Sequence, residues 1–235
     1  MHFNDLLHCH FPSGSRGISR ALRYSSADGQ LLYTIHADDL SIWQTQPYYA
    51  VSRRLDLENM RDVTQGESAV LHGEHGFGTE PMVWQVVGAA FAIFEETARL
   101  PEEDAYHDLP DTLVSGRGEE LGCELVTLTF IPSHSAGNTS QEEESTKPPK
   151  ELTSLRDRAL ESLSGRTKVY SSMYRHRPDA QPDMHPPIAE GAHGNGTWVA
   201  CILVEGKVDE EVRSQFQKEV VGVKVGFWKG EVFMS

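Results

Sequence analysis

The residues with the most chemistry per position are a histidine and an aspartate one residue apart, His36-Ala37-Asp38, closing the apolar run LLYTIHA. In an extended strand side chains alternate between faces, so His36 and Asp38 would project from one side. Two imidazoles and one carboxylate on one face, with the other positions open, is the ligand set of an iron(II) ion that activates oxygen. This pair supplies two of the three ligands. A distant histidine must supply the third. Asp39 reads as a solvated neighbour rather than a ligand.

The chain holds eleven histidines, so other pairings need weighing. His8-Cys9-His10 would place its side chains on alternate sides if extended, and reads as structural or disordered. His72-Gly-Glu-His75 sets two potential ligands three apart. Its flanking glycines favour a turn over the helix that would align them, leaving it as a rival metal site. His176, His185 and His193 fall in RHRPDAQPDMHPPIAEGAHGNG (175–196), a Pro/Gly/His loop in which solvated side chains are expected.

The elements that must carry these residues read mostly as strands. ISRALRYS (18–25) and QLLYTIHA (30–37) flank Ala27-Asp28-Gly29, a hairpin signal because Asp-Gly tolerates the positive φ of a tight turn. YYAVSRRLDL (48–57), SAVLHG (68–73), AYHDLPDT (105–112) and GCELVTLTFIP (122–132) are further strand candidates. PMVWQVVGAAFAIFEETARL (81–100) suits a buried helix by its flanking prolines. Its β-branched and aromatic content suits two strands, about 82–87 and 89–95. Counted as strands, residues 18–132 hold eight at short spacing, which predicts an antiparallel sandwich or barrel.

Residues 133–150, SHSAGNTSQEEESTKPPK, are too poor in apolar groups to repay ordering and read as a flexible linker or loop. They divide a core of 1–132 from a C-terminal α/β extension of 151–235, expected to pack on that core. Leu152, Leu155, Ala159, Leu160 and Leu163 form a helical stripe. TKVYSSMYR and TWVACILVEG read as strands and VDEEVRSQFQKEV as a helix. VGVKVGFW with EVFM reads as a closing hairpin around Lys229-Gly230.

A formal charge of −14 disfavours nucleic acid, whose binding depends on Lys/Arg neutralising phosphates. Cys9, Cys123 and Cys201 lie far apart, and the last two sit in apolar runs where a reduced, buried thiol is ordinary. Neither a signal peptide nor a run of membrane-spanning length is visible. A cytoplasmic or nuclear protein is expected, and Asn138 and Asn195 then match the glycosylation pattern by chance.

The order of motifs carries one resemblance. Arg23-Tyr24, a Gly-bearing turn, Tyr33 three residues before His36, and His36-x-Asp38 come first. Gly88 then opens an apolar strand ending in Phe94-Glu95, followed by His107, Ser115-Gly116-Arg117 and a last apolar strand. This arrangement resembles the iron(II)/2-oxoglutarate-dependent dioxygenases, nearest to the prolyl-hydroxylase-like and alkyl-lesion-repair-like members, over residues 17–132. The resemblance implies a double-stranded β-helix, or jelly roll, of eight strands. It implies Fe(II) held by His36, Asp38 and His107, which lies 71 residues after His36. It also implies 2-oxoglutarate as cosubstrate, with its far carboxylate gripped by Arg117 and assisted by Tyr24 or Tyr33. Bidentate geometry and permanent charge suit arginine to that task. The expected activity is hydroxylation or another oxidation of a protein or small-molecule substrate. Only about 17 residues precede the first strand, so the helices that usually buttress this fold are missing or come from 151–235. The rival expectation is a β-barrel binding or scaffold protein without turnover, in which His36, Asp38 and His107 do not converge.

Overall fold

A computed structural model describes residues 18–45, 90–100, 120–132, 147–164, 168–182, 196–218 and 222–231. The strands expected at 48–57, 68–73, 82–87 and 105–112 lie outside the described residues. The protein is mainly β: among the described residues seven antiparallel strands form one curled sheet, a half-barrel, with two helices. The strands are β1 (Ile18–Ser25), β2 (Leu31–Ala37), β3 (Phe94–Leu100), β4 (Glu120–Phe130), β5 (Val169–His176), β6 (Trp198–Glu205) and β7 (Val223–Glu231). Their spatial order is β2-β1-β7-β4-β6-β5-β3. The helices are α1 (Lys150–Ser164) and α2 (Glu210–Lys218). None of the described helices is long and apolar enough to cross a membrane.

The first hairpin forms where Asp28-Gly29 allows it, with Gly29 at φ 82°. The strand expected at 89–95 instead starts at Phe94 and runs through polar residues to Leu100. Pairing with β5 fixes it, and local hydrophobicity does not. The closing hairpin around Lys229-Gly230 is also corrected. β7 passes straight through that dipeptide, pairing Gly230 with Tyr24 and Lys229 with both Ser25 and Glu124. The turn signal yields because β7 is hydrogen-bonded on both sides, so a reversal at Gly230 would break two ladders.

Alternation along each strand sorts the side chains into two faces. On the outer face, Val126 and Leu128 of β4, Ala200, Ile202 and Val204 of β6, and Met173 of β5 meet Leu152, Leu155, Ala159 and Leu163 of α1. These four α1 residues recur at helical spacing and are at most 4% exposed. Each buried leucine contributes roughly 1.5–3 kcal/mol. Glu124 holds α2 to the same face. Its Oε2 accepts from the Val208 amide at 2.8 Å and from the Arg213 guanidinium, while Arg213 lies over the Phe227 ring at 4.8 Å.

The inner face gathers Leu22, Tyr24, Cys123, Leu125, Tyr170 and Leu203 into a second cluster, with Leu32, Cys201 and Trp228 against it. The curl follows from contacts a flat sheet forbids. β2 and β5 stand five strand spacings apart, about 24 Å when flat, and the registers put Ala37 and His176 at opposite ends. Yet Gln44, in the 3-10 turn Leu40–Gln44 after β2, donates to the Asp179 carbonyl in the turn after β5 at 3.1 Å. Ile42 and Trp43 pack there with Ile93 and Ala180, and Trp43 meets Phe91 edge-on at 5.9 Å. This seam draws the sheet round its inner face.

Gly226 shows how tightly that face is filled. A Cβ there would lie 2.6 Å from both Thr127 Oγ1 and Trp228 Nε1, which are themselves hydrogen-bonded at 2.9 Å. Gly226→Val should therefore destabilise the protein by about 1–3 kcal/mol through overpacking. Urea unfolding checks this, and an unchanged midpoint would mean the indole has room to move aside.

Candidate functional site

Of the six residues expected to form an iron and 2-oxoglutarate site, three lie on the β1–β2 hairpin. His36 stands in β2, pairs across the ladder with Arg20, and shares the inner face with Leu32 and Thr34. Tyr24 shares that face and is fully buried. Tyr33 points the other way and is exposed. Asp38 is exposed in the bend after β2. The alternation that would set it beside His36 stops at Ala37, because Asp39 ends the strand. Asp39 caps the following 3-10 turn, its Oδ1 accepting from the Ser41 amide at 2.8 Å. That bond holds its carboxyl below the usual carboxylate range. His107 and Arg117 lie outside the described residues, as do the His8-Cys9-His10, His72, His75, His185 and His193 positions. Among the described residues no three His, Cys, Asp or Glu side chains group to hold a metal ion.

His176 is a correction. Expected to be solvated in a loop, it closes β5, is 1% exposed, and stands against the Phe94 ring at 5.3 Å between centroids. The Pro178–Ala180 turn that follows, not His176, ends the strand. The seam thus brings the end of β2, which carries His36, toward the ends of β3 and β5, which carry Phe94 and His176.

A second constellation was invisible in the sequence. Five residues from five strands lie in one register line across the inner face: Arg99 opposite Ser172, Ser172 opposite Cys201, Cys201 opposite Thr127, and Thr127 opposite Gly226. The three in the middle carry only a hydroxyl, a thiol and a hydroxyl. Large rings stand beside this line. Tyr174, two residues from Ser172 on the same face, lies on one side, and Trp228, donating to Thr127, lies on the other. Cys201, Thr127, Tyr174 and Trp228 are half-buried, while Ser172 at the Arg99 end is buried.

Its titratable groups are held neutral. Burial pushes the Cys201 thiol up to about 12, with the nearby Glu96 carboxylate adding to the effect. Burial likewise raises the Tyr174 phenol, reinforced by Cys201 and Glu96 and opposed by a hydrogen bond with Ser172. Cys123, deeper on the same face, is also pushed up to about 12 by burial. At neutral pH these side chains are protonated hydrogen-bond donors.

An ion-pair network braces this end of the sheet. Glu95 Oε2 accepts from Arg175 at 2.8 Å and from Arg177 at 2.9 Å, and Arg177 also reaches Asp179 at 2.7 Å. No family model, no curated protein and no solved structure matches this chain.

Hydrogen bonds from Arg175 first, then Arg177, hold the Glu95 carboxyl below its ordinary value of 4.5. A depressed folded-state pKa contributes stability that is complete above the unfolded value and is lost as pH falls through the folded one. Glu95→Gln should therefore lower the melting temperature near neutrality and flatten its decline below about pH 4.5. Parallel melting profiles for the two proteins would show that Glu95 gains nothing from its arginines.

Proposed function

We propose that this chain is a ligand-binding protein rather than a catalyst, and that the inner-face strip over Ser172, Cys201 and Thr127 is its ligand site. The observation that carries this is the single register line of small polar side chains between Tyr174 and Trp228. Half-buried aromatic walls with a few placed polar groups suit a small molecule that has a flat apolar body and a polar edge. The protonated thiol and phenol support this reading, since both can donate hydrogen bonds to a bound molecule. A neutral fluorescent probe, N-phenyl-1-naphthylamine, should bind saturably to the folded protein. Cys201→Phe, which fills the floor of the strip, should weaken that binding about tenfold, equivalent to about 1.4 kcal/mol. Absence of saturable binding, or indifference to Cys201→Phe in a folded variant, would end this reading.

A second reading, the iron(II)/2-oxoglutarate oxygenase, is favoured by one observation: His36 and Tyr24 share the inner face. Such an ion with its cosubstrate would supply the oxidising power for hydroxylation. Among the described residues the fit is poor as it stands, since His36 is turned inward but Asp38 is exposed. This reading requires Asp38 to swing in beside His36 and His107 to join them. It also requires residues outside those described to face the sheet and complete a double-stranded β-helix. Anaerobic calorimetry with Fe(II) should then show one site per chain that His36→Ala removes. Heat of dilution alone in the unmutated protein would dispose of it.

A further inference from the structure

We infer that the ligand of the inner-face strip carries a carboxylate, which Arg99 takes over from Glu96. This rests on the binding reading above and adds the chemical class of the ligand. The starting observation is a β-bulge in β3. Glu96 lies opposite Tyr174, but the next pair is Ala98 with Met173, so Thr97 is an extra residue. The bulge is fastened by the Thr97 hydroxyl, which donates to the Met173 carbonyl at 3.1 Å. Without that extra residue Arg99 would lie opposite Ser171, on the helix-covered face. With it Arg99 lies opposite Ser172 and is aimed inward at the end of the polar line.

Arg99 already holds a carboxylate in the two-bond manner that a guanidinium prefers. Its Nε donates to Glu96 Oε1 at 3.1 Å, and its NH2 group donates to Oε2. Glu96 thus occupies the place a ligand carboxylate would take. The two side chains are 28% and 24% exposed, so the pair borders solvent on the side from which a ligand would approach. A ligand carboxylate in the place of Glu96 leaves the Arg99 cation paired, so the exchange strands no charge on it. Beyond Arg99 the strip offers the half-buried, protonated Cys201 and Tyr174 groups, both able to donate. An ionised carboxylate only accepts, which matches those donors. A ligand ammonium would instead be set beside the Arg99 cation.

The test is competition against N-phenyl-1-naphthylamine by 2-naphthoate and by its neutral counterpart 2-naphthamide. Naphthoate should displace the probe at a concentration about tenfold lower than naphthamide, the advantage of a charge-assisted pair. Arg99→Gln should bring the ratio of the two close to one. Glu96→Gln, which removes the internal competitor, should increase the ratio several-fold, so the two variants move it in opposite directions while circular dichroism verifies their folding. Equal displacement by acid and amide, or a ratio lowered by Glu96→Gln, would overturn the inference while leaving the binding site intact. Absence of probe binding to the unmutated protein would overturn both.

Discussion

The sheet depends on where its last strand goes. β7 lies between β1 and β4, pairing Arg23, Tyr24 and Ser25 with Glu231, Gly230 and Lys229 on one side and most of β4 on the other. Among the described residues, those three pairs are the backbone link between the β1–β2 hairpin and the five remaining strands. Two residues near opposite ends of the sequence must therefore meet before the hairpin has anything to join. Loop-closure entropy opposes such pairing, so the side chains around it must compensate. Tyr24 does so by lying fully buried in the inner cluster, opposite Gly230 in the ladder.

The same pairing makes an inside. Once β1 and β2 are attached through β7, the seam of Ile42, Trp43, Ile93 and Ala180 pulls the hairpin round toward β3 and β5. The inner face then becomes a place where polar groups from five strands meet partly shielded from bulk water. Burial sets the chemistry there: thiols and phenol keep their protons, and the cation at the end of the line is matched by Glu96. Outside, the requirement is different. α1 and α2 cover the other face with leucine, valine and phenylalanine, and Glu124 with Arg213 fixes the approach of α2.

Local signals served well wherever one element decides its own structure. The Asp28-Gly29 turn, the leucine stripe of α1 and the apolar strands β4 and β6 all formed close to where sequence placed them. Signals failed where a neighbour overrides them. Lys229-Gly230 looks like a turn in isolation and is a doubly paired strand. His176 looks like a loop residue and is the buried end of β5. Strand period alone carries β2 on to Asp38, whereas the strand stops at Ala37 and Asp39 caps the following 3-10 turn.

The sequence by itself determined the mainly β character, the first hairpin and the identity of both helices, because periodicity and turn chemistry act over a few residues. The candidate site was a matter for tertiary structure. Arg99, Ser172, Cys201, Thr127 and Gly226 are scattered over 128 positions, from 99 to 226, and none belongs to a motif. They form a line only through strand registers, and a single extra residue in β3 decides which face Arg99 reaches. Register is set by long-range hydrogen bonding and by which side chains can be buried together. Neither is written in the spacing of residues along the chain.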